Sequence, residues 1–82
     1  MISAERALEY SNEAQLTSVL DRINYFVYMA STKGRYYCLV RNVSNIFKKE
    51  VEEFLSQASN GKYAYRCCWI SGPNPSLKIW WQ

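Results

Sequence analysis

The chain has 82 residues, of which 49% are hydrophobic and 16% aromatic, and its formal net charge is +3. We expect a single domain over residues 1–82, because this length supports one small core and the apolar content excludes a disordered chain. No apolar run reaches the ~20 residues of a membrane-spanning helix, and the first residues lack the basic and then apolar order of a signal peptide.

The first predicted element is a long helix from residue 3 to about residue 32. Ser3 is a suitable N-cap, Glu5 lies in the first turn, where the helix dipole favours an acid, and Gly34 can end the helix. Apolar residues follow the i, i+3, i+4 spacing of a core-facing stripe: Leu8, Leu16, Val19, Leu20, Ile23, Phe26, Val27 and Ala30. Such a helix spans roughly 45 Å, against ~20 Å for a six-residue strand, so we expect it to extend beyond the sheet.

The part of the helix beyond the sheet must be covered, so we expect self-association, and two groups of helix residues bear on it. Asn12 lies within the apolar stripe, where it either caps a second helical segment or is a buried amide that sets the register of a helix pair. Four further side chains lie on the other side of the helix: Tyr10, Tyr25, Tyr28 and Met29. Together with Asn12, they form the predicted oligomer interface.

The remaining chain predicts three strands and a second helix. We expect a strand at 35–41, a helix from 44 or 45 to about 59, a strand at 63–70 and a last strand at 77–82. A turn at 71–76 contains one glycine and two prolines.

The order of elements is therefore α-β-α-β-β, which predicts an α+β fold with a three-stranded mixed sheet. The first two strands, joined through a helix, should be parallel, and the last two should form an antiparallel hairpin. Both helices should cover one face of the sheet, because a sheet this small cannot bury two faces.

The other sheet face is the predicted binding surface. Alternation along the last strand places Lys78 and Trp80 on one face and Leu77, Ile79 and Trp81 on the other. Our candidate partner-binding residues are Lys78, Trp80 and Arg66, joined by Tyr63, Tyr65 and Trp69 if the second strand has the opposite register.

Three interpretations compete for this face. It completes a shared core in a homo-oligomer, it recognises another protein through Trp, Tyr and Arg anchors, or it stacks a nucleotide or single-stranded nucleic acid. Residues 33–82 carry eight bases and three acids, which favours an anionic partner. The bases do not cluster, so duplex nucleic acid is not expected as a partner.

Catalysis, cofactors and metals are not expected from this sequence. The chain has no histidine, and its three cysteines, Cys38, Cys67 and Cys68, lack the spacing of a zinc site. The acids Glu50, Glu52 and Glu53 lie on a predicted solvated helix, and the three glycines are too isolated for a phosphate-binding loop. We therefore expect a protein that is not an enzyme.

Four short motifs punctuate the predicted elements. They are Ser3-Ala4-Glu5-Arg6-Ala7-Leu8 followed by Ser11-Asn12, then Gly34-Arg35-Tyr36-Tyr37, then the helix end from Leu55 to Gly61-Lys62-Tyr63, and finally Ile79-Trp80-Trp81. In this order and over nearly the whole chain they resemble short uncharacterised accessory proteins of tailed bacteriophages. The Pro-rich turn and the doubled tryptophan depart from that pattern, and the resemblance assigns no functional residue.

The resemblance implies a function in the cytoplasm of an infected bacterium. We expect a homo-oligomeric, stoichiometric inhibitor of a host or antiviral-defence protein. The alternative is a sponge that sequesters a nucleotide second messenger or small nucleic acid where two protomers meet.

Overall fold

The computed structural model describes residues 1–82 as a small α+β fold with the predicted order of elements. The elements are α1 (Ala4–Thr32), β1 (Tyr37–Arg41), a 3₁₀ turn (Asn45–Phe47) that leads into α2 (Lys48–Gln57), β2 (Arg66–Ile70) and β3 (Ser76–Trp80).

The sheet has the strand order β1-β3-β2, and both neighbouring pairs are antiparallel. The predicted hairpin of β2 and β3 is present. The predicted mixed sheet is wrong in one respect: β1 and β2 run in the same direction, but β3 lies between them. No parallel pair is therefore hydrogen-bonded, and the sheet is antiparallel throughout.

Helix α1 begins and ends as its sequence predicts. The Ser3 side chain accepts a hydrogen bond from the Arg6 backbone N–H at 3.2 Å. At the other end Lys33 is the C-cap, and Gly34 takes a φ of 78°, a conformation that glycine adopts without steric cost. The helix runs through Asn12 without a break, so Asn12 does not cap a second segment.

One hydrophobic core joins both helices to a single face of the sheet, as predicted. Its buried residues come from both helices, the 3₁₀ turn, two strands and the loop after β1: Val19, Ile23, Ala30, Cys38, Val40, Val43, Phe47, Val51, Leu55, Leu77 and Ile79. Side chains of β2 pack against this cluster from the same face, including Cys67 and Trp69. The core-facing positions of the strands alternate with positions that the helices do not cover.

The first part of α1 extends beyond this core. No hydrophobic residue before Leu16 packs against the core, although Asn12 and Glu13 line a small groove beside Phe47. Leu8 is 62% exposed although it lies on the apolar stripe. We call residues 4–15 the overhang. The chain measures 48 × 30 × 20 Å, and its long axis reflects the length of this helix. Neither helix has the length and apolar character that crossing a membrane requires.

The turn before β2 shortens that strand relative to its prediction. The Asn60 side chain accepts hydrogen bonds from the backbone N–H groups of Lys62 and Tyr63, and the Asn60 N–H donates to the Tyr63 carbonyl at 2.8 Å. This closed turn keeps residues 60–63 out of the sheet. The Tyr65 N–H donates to the Ser59 Oγ atom at 2.9 Å, and the strand begins at Arg66 and not at Tyr63.

Candidate binding surface on the open sheet face

The sheet face away from the helices carries an aromatic and basic set of side chains. We call it the open face. Its members are Tyr37, Leu39 and Arg41 on β1, Lys78 and Trp80 on β3, and Arg66, Cys68 and Ile70 on β2. Most of them are exposed, because α1 and α2 both pack on the opposite side.

The centre of the open face is a cross-strand row of Tyr37, Trp80 and Arg66. Trp80 on the middle strand is paired with Tyr37 on one side and with Arg66 on the other. The Lys78 Nζ atom lies 5.8 Å from the ring centroid of Tyr37 and 5.9 Å from that of Trp80. Both distances suit a cation–π interaction, so the ammonium group is held between two rings.

A shallow depression of about 460 Å³ lies at this row. Its lining combines three rings with an amine, a thiol and an amide: Tyr36, Tyr37, Trp80, Lys78, Cys68 and Gln82. Such a lining offers flat apolar contact in the middle and hydrogen-bonding groups around it. It can hold a planar ring or an apolar side chain of a partner.

The structure brings together three of the predicted partner-binding residues. Trp80, Lys78 and Arg66 share the open face, as the alternation along β2 and β3 predicts.

The opposite register of β2, which would add Tyr63, Tyr65 and Trp69 to the open face, does not occur. Trp69 and Tyr65 pack against the core on the helix side. The Trp69 Nε1 atom donates to the Glu52 carboxylate on α2 at 3.2 Å, and the Tyr65 ring meets the Trp81 ring edge-on at 6.0 Å. Tyr63 lies before the strand, is 67% exposed and has the Lys62 amine 5.4 Å from its ring.

Sequence reasoning missed the contribution of β1 to the open face. Tyr37 and Leu39 are 52% and 41% exposed there, and Arg41 shares their side of the strand. The signal was present in the alternation of residues 37–41, where Cys38 and Val40 are the buried partners. This alternation could not be assigned to a face of the sheet until the strands next to β1 were known.

The three cysteines differ in accessibility. Cys38 is buried, and burial raises the pKa of its thiol. Burial, followed by the charge of Glu52, raises the pKa of Cys67. Cys68 is exposed on the open face beside its cross-strand partner Lys78.

The predicted oligomer-interface residues lie along α1. Tyr10, Tyr25 and Tyr28 are 49%, 59% and 67% exposed, and Asn12 is exposed on the overhang. Met29 is half-buried and lines a groove beside β1. These side chains therefore do not form one compact patch: Asn12 and Tyr10 belong to the overhang, and the others belong to the last turns of the helix.

Comparison of the chain with models of protein families, with curated proteins and with solved structures found no match.

Proposed function

We propose that this chain is a non-catalytic binding protein whose open face holds a protein partner. The observation that carries this proposal is the cross-strand row of Trp80, Tyr37 and Arg66 with Lys78 held between the rings. Trp, Tyr and Arg are the residues that most often anchor protein interfaces. Leu39 and Ile70 extend the apolar area beside them.

The partner is, in this proposal, a host or antiviral-defence protein in the cytoplasm of a bacterium infected by a phage that encodes this chain. The chain inhibits its target by occupying it stoichiometrically. The basis for this step is the resemblance of the four sequence motifs to phage accessory proteins. The open face presents cations and rings, which suit a target surface that is anionic and apolar.

The proposal also includes a homo-oligomer assembled through α1. Six of the seven tyrosines are exposed in the isolated chain, and three of them lie on this helix. Leu8 on the overhang continues the core stripe of α1 into solvent. Packing between copies of α1 would cover these side chains and leave the open face available to the partner.

Affinity capture from bacterial lysate tests the binding function. Tagged wild-type chain should retain one protein in a fixed molar ratio, and Trp80→Ala should lose most of it. Ile46→Ala is the matched control, because Ile46 is a large apolar residue that is 67% exposed but lies in the 3₁₀ turn before α2. Equal capture by wild type and Trp80→Ala would show that the open face is not the binding surface.

Light scattering tests the oligomer. A mass of 9.6 kDa, that of one chain, at micromolar concentration would contradict it. If the mass is a multiple of this value, Leu8→Glu combined with Tyr10→Glu should reduce it, because two carboxylates would be placed in the apolar contact.

A nucleotide sponge is the second candidate, and one observation favours it. The Tyr37 and Trp80 rings and the Lys78 amine offer both a stacking surface and a positive charge at one depression. The test is the melting temperature of the purified protein with cyclic mono- and dinucleotides. A ligand at a hundred times its Kd should stabilise the fold by about 2.7 kcal/mol. A melting temperature that no nucleotide changes would exclude this candidate.

A further inference from the structure

The outer edge of β1 has backbone groups with no partner in the chain. The Trp81 N–H donates to the Tyr36 carbonyl at 3.0 Å, so Tyr36 and Trp81 form a hydrogen-bonded pair between β1 and β3. Because backbone groups alternate in direction along an antiparallel strand, Cys38 and Val40 bond to β3, while Tyr37, Leu39 and Arg41 point their N–H and C=O groups outward. Strand β1 is at the edge of the sheet, so nothing pairs with it on that side.

One side chain closes the end of this edge. The Arg22 guanidinium of α1 donates to the carbonyls of Arg41 and Asn42. These hydrogen bonds give the carbonyl groups at the end of β1 a partner, and they fix the position of α1 beside this edge. The N–H and C=O groups of Tyr37 and Leu39 stay open, which is four groups in the spacing that an added strand needs.

A groove of about 290 Å³ runs between this edge and α1. Phe26, Met29 and Ala30 supply its apolar wall, and Phe26 remains 39% exposed there. Its charged lining consists of Lys33, Arg35 and Arg41, with no acid. The groove thus combines an open backbone ladder, an apolar wall and a positive rim.

We propose that the β1 edge binds an extended acidic segment of the partner protein as a fourth strand. The inference rests on the proposed function in one respect, that the partner is a protein. Backbone hydrogen bonds to Tyr37 and Leu39 hold the segment, an apolar side chain enters the groove beside Phe26, and carboxylates meet the three cations. Side chains on the other side of the segment extend the open face next to Tyr37.

Charge argues against a second copy of this chain as the occupant. Pairing two β1 edges would bring Lys33, Arg35 and Arg41 of one copy close to the same three cations of the other. The acidic part of the chain, the overhang with Glu5, Glu9 and Glu13, is helical and has no backbone groups free for a ladder. An acidic extended segment from another protein has neither problem.

Selection from a displayed library of random ten-residue peptides tests the chemistry of the occupant. The enriched peptides should alternate apolar with polar residues and should be rich in Asp and Glu. In the protein bound to an enriched peptide, hydrogen exchange of the Leu39 and Tyr37 amides should slow. Enrichment without acids, no enrichment at all, or unchanged exchange at both amides would overturn the proposal.

Leu39→Pro tests the hydrogen bonds to the added strand by removing one backbone N–H group. The Leu39 N–H points away from β3, so proline removes a donor to the added strand and leaves the hydrogen bonds within the sheet in place. Fluorescence anisotropy with an enriched peptide should show about tenfold weaker binding for Leu39→Pro than for Leu39→Ala, which keeps the N–H. Circular dichroism checks that both variants are folded, and equal binding by two folded variants would overturn the proposal. If Leu39→Pro does not fold, the amide exchange of the wild-type protein decides.

Charge reversal tests the positive rim. Lys33→Glu combined with Arg35→Glu should weaken binding of the acidic peptide about tenfold. The same change in charge outside the groove, Lys49→Glu combined with Lys62→Glu, should leave binding nearly unchanged. Equal loss in both variants would show a general charge effect and not a site.

These results separate the inference from the function on which it rests. Capture of a protein that Trp80→Ala loses but Leu39→Pro and the rim variant retain would overturn the edge site alone. A chain that captures no protein and is stabilised by a nucleotide would overturn both. Slower Leu39 amide exchange as the protein alone is concentrated would identify a second copy as the occupant and overturn the inference.

Discussion

The covered and open faces of the sheet alternate residue by residue along the same strands, yet they differ sharply in exposure. Val40, Leu77 and Ile79 on the covered face have no exposed surface, while Tyr37 and Leu39 on the open face are about half exposed. We therefore expect the covered face to determine stability, whereas in our proposal the open face determines binding. Substitutions one position apart should each affect mainly one of these two properties.

Ile79→Ala should have the largest effect, because it removes a fully buried side chain at the centre of the core. We expect the free energy of unfolding to fall by about 3 kcal/mol, measured by urea denaturation. Its neighbour Lys78, exposed on the open face, is the control, and Lys78→Ala should cost less than about 1 kcal/mol. Similar losses for both would show that the two faces do not differ as described.

Trp80→Ala should have an intermediate effect on stability. The ring is half-buried and contributes to the open face, so we expect a loss of about 1 kcal/mol and an unchanged far-ultraviolet circular dichroism spectrum. Global unfolding of this variant would place Trp80 in the core and contradict the division between the faces.

Glu52→Ala should have a smaller effect, on the covered side. It removes the carboxylate that accepts the Trp69 Nε1–H hydrogen bond and so ties α2 to β2. Because the bond is exposed, we expect a loss of about 0.5 kcal/mol. Glu53→Ala on the same helix lacks that hydrogen bond and provides the control in the same denaturation experiment. No difference between the two variants would mean that this bond does not contribute.

Alkaline pH should produce the smallest effect. Burial raises the pKa of Cys38 and Cys67 above the ordinary value of 9.0. The folded chain therefore keeps thiol protons that the unfolded chain releases. It follows that the free energy of unfolding should fall as pH rises through 9.0 and above. Cys67→Ser should reduce this slope, and Cys68→Ser, at the exposed thiol, should not; the opposite ranking would contradict the assignment of Cys67 to the covered face.

The sequence predicted α1 and the two-faced sheet well, because both depend on local patterns. Ser3, Gly34 and the apolar spacing set the bounds of the helix within one residue. Alternation along 77–80 placed Lys78 and Trp80 opposite Leu77 and Ile79. These signals need no knowledge of distant parts of the chain.

The strand order and the contribution of β1 to the open face could not be predicted from local patterns. Alternation tells which residues share a side of a strand but not which strands are neighbours, so β1 was free to pair with β2 or with β3. The length of β2 was overestimated for a different reason. The side chain of Asn60 binds the backbone of Lys62 and Tyr63, and this turn overrides the strand propensity of the tyrosine.

The position of β3 between the two other strands also has a consequence for biosynthesis. A ribosome delivers β1 and β2 before it delivers the strand to which both must pair. Until then the nascent polypeptide holds two solitary segments whose ladders are open on both sides, a state that attracts chaperones and favours aggregation. A premature stop codon before Ser76 would thus remove the common partner of both segments and leave the helices with no sheet to dock on.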